Sequence, residues 1–248
     1  MIFNDCKVGA WDIYRVELFW IIRGAFRLID PDKMSFHKSY FVTRLGKFHV
    51  NPSANGTYIV SPAFERPDID RLLQLIKTDL KLKKKVLFID VGAYFGTYSI
   101  GVGNACRKFA KNLDIIAFEP EASNFGDKNV AMMKKNLKAN DIKNVKIYKI
   151  GLGKANETKP NKYGIILKKF DSIIKPDIAK KYDSIFIKID IEGGETDALR
   201  GSVKFIANAS KLTLLVEDYI DPKIVSYLSN RFSFMDKITP HNSFWISK

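Results

Sequence analysis

Residues 86–96 decide the fold, and they run Val-Leu-Phe-Ile-Asp-Val-Gly-Ala-Tyr-Phe-Gly. Four apolar residues come first, followed by Asp90 and by two glycines, Gly92 and Gly96. The apolar run predicts a buried parallel strand, the glycines predict a tight turn, and the sequence from Thr97 is compatible with a helix. Glycine lets a turn press against a ligand where a Cβ would collide, and the helix start offers unpaired N–H donors. Asp90 therefore falls at the carboxyl end of a strand, where open α/β sheets bind ligands.

The residues of this turn indicate a cationic ligand. A dinucleotide fingerprint would have Gly-x-Gly-x-x-Gly here, to seat a pyrophosphate on the helix N-terminus. This chain has Asp-x-Gly-x-Tyr-x-Gly instead, and its carboxylate suits the ammonium and sulfonium of S-adenosylmethionine. A second apolar run, 115–118, ends in Glu119, which is placed to accept both ribose hydroxyls. Two acidic strand ends in this order predict an S-adenosylmethionine site.

Helical and strand patterns alternate beyond Glu119, which predicts a doubly wound α/β fold. We expect a helix over 124–140 and strands over 145–150, 184–190, 212–217, 232–236 and 244–247. The sheet should be mostly parallel, with right-handed crossovers. The last two strands are close enough to form an antiparallel pair that brings one strand back into the sheet edge.

A second group of charged residues closes the strand over 184–190, where Lys188, Asp190 and Glu192 alternate with isoleucines and a glycine pair leads to Glu195. Carboxylates so close together should raise at least one pKa, which suits a general base that takes a hydroxyl proton. Asp190 or Glu192 would be this base. In the structural alternative, Glu195 caps its helix and Glu192 pairs with Lys188 or Arg200. We prefer the catalytic interpretation because the group lies at the ligand-binding end of the sheet.

Residues 1–80 are expected to form an accessory segment before a ligand-binding domain over 81–248. Apolar residues recur at helical spacing from Trp11 to Ile29, with arginines on another face. This helix could contact a membrane peripherally, but we prefer packing on the main domain or on a second subunit. A hairpin over 40–50 and a strand over 57–61 should follow. Asp68 then looks like the N-cap of a helix that ends near Leu80.

Composition sets broad limits on partners and compartment. The 248 residues carry a net charge of +14, but lysine is spread over every segment, so we expect a solvated surface and no specific nucleic acid. The two cysteines, Cys6 and Cys106, have no disulfide or metal-ligand spacing, which fits a reducing cytoplasm. No secretory signal is recognisable in the first thirty residues.

Five motifs follow one another along the chain. They are Phe-Ile-Asp-Val-Gly-Ala-Tyr-Phe-Gly at 88–96, Ala-Phe-Glu-Pro at 117–120, Phe-Asp-Ser-Ile at 170–173, Lys-Ile-Asp-Ile-Glu-Gly-Gly-Glu at 188–195 and Leu-Arg-Gly at 199–201. This set resembles the FkbM family of methyltransferases over about residues 86 to 218. The resemblance implies a class I, Rossmann-like enzyme that uses S-adenosylmethionine, typically on a hydroxyl of a sugar or natural product.

The resemblance also assigns residues to the site. By motif, cofactor contacts carry over to Asp90, Gly92, Ala93, Gly96 and Glu119, and the Asp-x-Glu-Gly cluster carries over to Asp190, Glu192, Gly193 and Glu195. We also expect cofactor contacts at Tyr94, Phe95, Pro120, Asp171 and Asp190. The catalytic group is expected at Lys188, Asp190, Glu192 and Glu195. One departure concerns Tyr94, where the family usually has asparagine, which tolerates positive φ far better than tyrosine does.

Three functions remain open at this point. We favour an O-methyltransferase that acts on a glycan or small hydroxylated molecule. The alternative enzyme is an RNA ribose 2′-O-methyltransferase, suggested by the charge and by Lys188, Asp190 and Glu192. A non-enzymatic cofactor-binding or membrane-associated subunit is the third. Asp171, Asp190 and Glu192 could hold magnesium on the acceptor hydroxyl, although we prefer a metal-free reaction. The acceptor's identity and any oligomer are left open.

Overall fold

A computed structural model describes residues 41–49, 65–121 and 127–248. The strands are β1 Phe41–Thr43, β2 Gly46–Phe48, β3 Val86–Val91, β4 Leu113–Phe118, β5 Val145–Tyr148, β6 Gly151–Leu152, β7 Leu167–Lys168, β8 Ser184–Ile189, β9 Leu212–Glu217, β10 Phe232–Asp236 and β11 Asn242–Ser247. The α-helices are α1 Arg66–Lys81, α2 Thr97–Ala105, α3 Asp127–Ala139, α4 Phe170–Ile173, α5 Glu195–Arg200, α6 Val203–Ala207 and α7 Ile224–Ser229. Arg107–Asn112 and Pro176–Lys181 are 3₁₀ turns.

Seven strands form the main sheet, in the order β10-β11-β9-β8-β3-β4-β5. The pairs that join β9, β8, β3, β4 and β5 are parallel, whereas β11 is antiparallel to both of its neighbours. With helices on both faces, this order confirms the expected class I methyltransferase fold, a doubly wound, mostly parallel Rossmann-like sheet with one antiparallel strand. The carboxyl ends of β3, β4, β8 and β9 therefore meet at one edge.

The strand over 86–91 lies at the centre of the sheet and is buried along its whole length. Val86 and Phe88 pack in one apolar cluster with residues of α1, α2 and α3, while Leu87 and Ile89 pack in a second cluster with α5, α6 and α7. Burial on both faces explains why β3 is apolar at every position over 86–89 and does not alternate.

The segment before β3 confirms some expectations and corrects one. The hairpin is present as β1 and β2, paired antiparallel, whereas the N-terminal helix and the strand over 57–61 lie outside the described residues. Helix α1 buries the expected apolar stripe in the same cluster as β3. Asp68 is not its N-cap, because α1 already begins at Arg66. The carboxylate of Asp68 is buried and accepts hydrogen bonds from Thr239 and Asn242 instead.

The later elements agree with the expected positions within a few residues. The strand over 145–150 ends at Tyr148, the strand over 184–190 ends at Ile189, and the strand over 212–217 has the expected bounds. Helix α3 is described from Asp127 onward. None of the described helices has the length and apolar character needed to cross a membrane.

Candidate active site

The glycine turn after β3 is held against two neighbouring strand ends. The N–H groups of Gly92 and Ala93 both donate to the carbonyl of Phe118, at 3.0 Å each. Gly92 has φ 76°, and a Cβ added there would lie 1.8 Å from the carbonyl oxygen of Asp190. Glycine is therefore required at 92 because the turn passes against the backbone of Asp190, and not only to leave room for a ligand.

Asp90 joins strand β3 to helix α2. Its side chain is fully buried, and its Oδ2 accepts hydrogen bonds from the backbone N–H of Ser99 at 3.0 Å and from the Ser99 hydroxyl at 2.7 Å. Burial raises the pKa of Asp90, against the opposing effect of Lys188. Oδ1 accepts no hydrogen bond within the described part of the chain. Any contact of Asp90 with a ligand would therefore involve Oδ1, and that contact stays a prediction.

Glu119 directly follows β4, as expected, and its carboxylate binds the glycine turn and helix α3. Its Oε2 accepts the backbone N–H of Tyr94 at 2.8 Å, and its Oε1 accepts the side-chain amide of Asn129 in α3 at 3.0 Å. Burial raises its pKa, while the donors from Asn129 and Tyr94 oppose that rise. The carboxylate thus fixes the glycine turn and keeps lone pairs that could accept ribose hydroxyls. Pro120 follows it, partly buried.

Tyr94 adopts a positive φ, which tyrosine tolerates less well than asparagine does. Its φ is 51°, in the left-handed region, which is uncommon for an aromatic residue and costs about 1–3 kcal/mol. The Tyr94 ring stacks on Phe95 with centroids 3.9 Å apart and an interplanar angle of 16°. Phe95 is buried and anchors the stack. The strained turn is therefore held by a hydrogen bond to Glu119 and by this ring contact.

Lys188 is a buried cation at the centre of the strand ends. Its Nζ lies 3.1 Å from Oδ2 of Asp190 and 3.1 Å from the carbonyl oxygen of Gly92. Burial alone would lower its pKa, but Asp190, Asp90 and Glu65 outweigh that effect and raise it. Lys188 is therefore held charged, and it joins the glycine turn to the carboxylate of Asp190.

Glu65 is part of this charged group, and the sequence analysis missed it. It precedes α1 with φ 39°, and its Oε2 accepts a hydrogen bond from the hydroxyl of Tyr98 in α2. The ring of Tyr98 lies 5.1 Å from Nζ of Lys188. Burial raises the pKa of Glu65, and Lys188 opposes the rise. No motif surrounds Glu65 in the sequence, so only the packing of α1 against the sheet reveals it.

Glu195 and Glu192 occupy different environments although both belong to the second motif. Glu195 is fully buried, and its Oε1 accepts the backbone N–H groups of Ile191 and Gly193 at 3.0 and 3.1 Å. It therefore shapes the turn between β8 and α5. Glu192 is exposed on that turn with φ 60°. Lys188 and Arg200 are the partners expected for Glu192 in the structural alternative. In the described structure, Lys188 pairs with Asp190 and Arg200 pairs with Asp197 instead.

Glu217 is the second residue that the sequence analysis missed as a site residue. It ends β9, and because Ile189 pairs with Val216, Glu217 and Asp190 follow paired residues on adjacent strands. Its Oε2 is buried without a hydrogen-bond partner in the described ranges. Burial, followed by the charges of Asp190, Glu192 and Glu195, raises its pKa to about 8. A carboxylate that closes an apolar strand was also the signal at Asp90 and Glu119, so this residue could have been found.

Asp171 does not join the other carboxylates. Its Oδ2 accepts the backbone N–H of Lys204 and its Oδ1 accepts that of Phe205, both at 2.9 Å. The side chain therefore caps α6, and a contact of Asp171 with the cofactor stays a prediction. Over the ranges that the structure describes, no three His, Cys, Asp or Glu side chains are grouped to hold a metal ion.

The chain is similar to known proteins in its fold, at low sequence identity. No family model and no curated protein matches the chain. Among solved structures, the chain is similar to a methyltransferase from Agrobacterium tumefaciens (9% identity, 74% of this chain and 61% of that one, TM-score 0.46). It is also similar to a methyltransferase from Aquifex aeolicus (11% identity, 73% of this chain and 96% of that one, TM-score 0.40). A third similar structure is Aeropyrum pernix fibrillarin in complex with S-adenosyl-L-methionine (8% identity, 66% of each chain, TM-score 0.38).

Proposed function

We propose that this protein is an S-adenosylmethionine-dependent methyltransferase that transfers a methyl group to a hydroxyl of a sugar, a glycan or a small natural product. One observation carries the proposal. The turn over 92–96 is bound on one side to Glu119 and on the other to the Lys188–Asp190 pair. A turn suited to a nucleoside and a charged group suited to proton transfer thus share one edge of the sheet.

The donor set suits S-adenosylmethionine. Glu119 offers a carboxylate at the second strand end for the ribose hydroxyls. Oδ1 of buried Asp90, which has no hydrogen-bond partner among the described residues, offers an acceptor for an ammonium. The surrounding carboxylates favour a cationic ligand over a pyrophosphate. When bound, S-adenosylmethionine supplies an electrophilic methyl group on a sulfonium. The motifs at 88–96 and 188–195 support placing the chain in the FkbM family.

The protein's part in such a transfer is alignment and proton removal. The hydrogen bonds from the turn to Phe118 and Glu119 fix the backbone that borders the nucleoside. Lys188 holds Asp190 in place, so the proton acceptor is drawn from the carboxylates Asp190, Glu192 and Glu217. These residues are well suited to a neutral or cationic hydroxylated acceptor.

RNA ribose 2′-O-methylation is the second candidate. It is favoured by the pair of buried Lys188 with partly buried Asp190 and by the net charge of +14. Against it, Asp190 and Glu192 lie at the edge where a phosphate backbone would have to approach, and like charges repel. A cytoplasmic location is a part of the proposal that rests on sequence. So is packing of residues 11–29 on the main domain or on a second subunit, with peripheral membrane contact as the alternative.

A methyl-transfer screen tests the proposal. The purified protein is incubated with S-adenosylmethionine labelled in its methyl group and with sugar nucleotides, oligosaccharides or RNA. We expect label in a saccharide and binding of S-adenosylhomocysteine by calorimetry. Failure to bind S-adenosylhomocysteine would overturn the cofactor assignment, and label confined to RNA would overturn the acceptor class.

A further inference from the structure

The four carboxylates at this edge of the sheet differ in the hydrogen bonds and ion pairs that they make within the protein. Asp190 is engaged by Lys188 at 3.1 Å, and Glu195 uses Oε1 to bind two backbone N–H groups. Glu192 is exposed on a turn. Glu217 alone among these four combines partial burial, a position on a strand of the sheet and a buried oxygen, Oε2, that has no hydrogen-bond partner within the described ranges.

A second observation indicates that a ligand completes this edge. Glu195 is fully buried beside Glu217, and its Oε2 also lacks a hydrogen bond in the described residues. Buried polar atoms are nearly always paired, and leaving one unpaired costs about 1–3 kcal/mol. Glu217 is the last residue of β9 and Glu195 is the first residue of α5. Two such oxygens at this edge of the sheet indicate a position where a donor from outside the chain is expected.

We propose that Glu217 is the proton acceptor of the methyl transfer, a role that rests on the proposed function. The acceptor's O–H bond breaks and its proton passes to Oε2 of Glu217. The oxygen forms a bond to the methyl carbon while the carbon–sulfur bond breaks, and that bond's electron pair stays on sulfur as a neutral thioether. Asp190, held by Lys188, then serves to position the acceptor.

The surroundings of Glu217 suit this role electrostatically. The titratable groups that face it are Lys188, Asp190 and Glu192 from β8 and its turn, Glu195 from α5, and Tyr219 from the segment after β9. The neighbouring residue in β11, Asn242, carries no charge. Burial and the three carboxylates outweigh Lys188 and raise the pKa of Glu217 to about 8. A base with a pKa near the working pH takes up a proton most effectively.

Two measurements test the proposal on the whole chain. In the first, glutamate carboxyl carbons are labelled with ¹³C and titrated by NMR in the presence of S-adenosylhomocysteine, and E217Q identifies the resonance. We expect a midpoint within about one unit of 8. A midpoint below about 6 would overturn the role, since the group would then be a weak base.

In the second, methyl α-D-glucopyranoside is the acceptor probe and the labelled cofactor is the donor. E217Q should lower kcat by about 10²- to 10⁴-fold with unchanged affinity for S-adenosylhomocysteine, and wild-type kcat should rise with pH toward a plateau above about 8. The matched control is D218N, because Asp218 is the next residue and pairs with Lys237 at 2.7 Å.

The outcomes separate this proposal from the proposed function. Full turnover in E217Q overturns the role of Glu217 and leaves the methyltransferase assignment intact. A large loss of cofactor affinity in E217Q, with the fold retained, also overturns it, because Glu217 would then hold the ligand. If the wild-type protein binds S-adenosylhomocysteine but does not methylate the glucoside, this probe is not an acceptor. A saccharide labelled in the methyl-transfer screen then replaces it for E217Q, and the NMR midpoint decides on Glu217.

Discussion

The backbone N–H of Tyr94 donates to Oε2 of Glu119 at 2.8 Å, which ties the strained turn after β3 to the end of β4. Tyr94 has a positive φ of 51°, and a conformation of this kind persists only where its surroundings fix it. Glu119 therefore has two functions in the proposed site. It shapes the turn over 92–96, and under the proposed function its lone pairs would accept the ribose hydroxyls.

Glu119→Ala should weaken the binding of S-adenosylhomocysteine by about 1–3 kcal/mol, the range for a hydrogen bond to a charged group. The substitution also leaves the N–H of Tyr94 without its acceptor, so the turn should loosen. Calorimetry measures the affinity, and Glu121→Ala is the control, because Glu121 pairs only with Lys149 in the described structure, at 2.6 Å. Equal affinities for wild type and Glu119→Ala would remove the ribose assignment.

Gly92→Ala should destabilise the fold by about 3–5 kcal/mol, because strain at positive φ adds to overpacking. The new Cβ would lie 1.8 Å from the carbonyl oxygen of Asp190, and backbone cannot yield cheaply. Urea unfolding measures the loss. Gly194→Ala is the comparison, since Gly194 has φ −104° and its nearest contact is the flexible Cδ1 of Ile191 at 3.1 Å. Similar losses in both variants would contradict the close approach.

Lys188→Met should cost about 3–5 kcal/mol near pH 8, because it leaves buried carboxylates without their cation. Burial already raises the pKa values of Asp90 and Glu65, and the loss of Lys188 should raise them further. A raised carboxyl pKa removes stability as pH rises, so the deficit should be smaller at pH 5 than at pH 8. Lys84→Met, which removes a partly exposed partner of Asp79, should cost about 1 kcal/mol or less. A deficit independent of pH would contradict the buried charge network.

The fold could be predicted because its central strands are buried on both faces. Strand β3 is apolar over 86–89 before Asp90, and β9 is apolar apart from Thr213 before Glu217. Such a pattern predicts a buried strand whatever the details of side-chain packing. Asp68 shows the limit of such patterns. It has the residue type and position of an N-cap, but its actual partners, Thr239 and Asn242, lie more than 170 residues away, and a local pattern contains no information about them.

The site was predictable only where a residue's position on a strand sets its role. Glu119 and Lys188 lie at the shared edge because strand order places them there. Glu65 joins them only through the approach of α1 to the sheet, which periodicity does not specify. Asp171 belongs to a recognisable motif, yet its carboxylate caps α6, since a motif does not say which backbone donors are nearest.

RNA should bind this protein without sequence preference, and its affinity should fall steeply with salt, because the charge of +14 acts mainly through phosphate contacts and counterion release. Filter binding of a structured RNA and of a homopolymer, at about 50 and 200 mM salt, measures the slope. The affinities for the structured RNA and for the homopolymer should be similar, and both should fall as the salt concentration rises. One RNA that is retained at the higher salt and also acquires labelled methyl groups would reverse the ranking of acceptors.

Glu217→Gln should stabilise the protein increasingly as pH rises from 5 to 9. In the folded chain the pKa of Glu217 is raised from 4.5 to about 8, so between these values the folded state holds a proton that the unfolded state has lost, and wild-type stability falls with pH. Glutamine does not titrate. Since Glu217 is partly exposed, we expect a gain of about 1–2 kcal/mol at pH 9 and little at pH 5. Urea unfolding at both pH values measures it, with Glu121→Gln as a control whose difference from wild type should not grow. A Glu217→Gln protein that is as stable as wild type at both pH values would show that burial and the neighbouring carboxylates do not raise the pKa of Glu217.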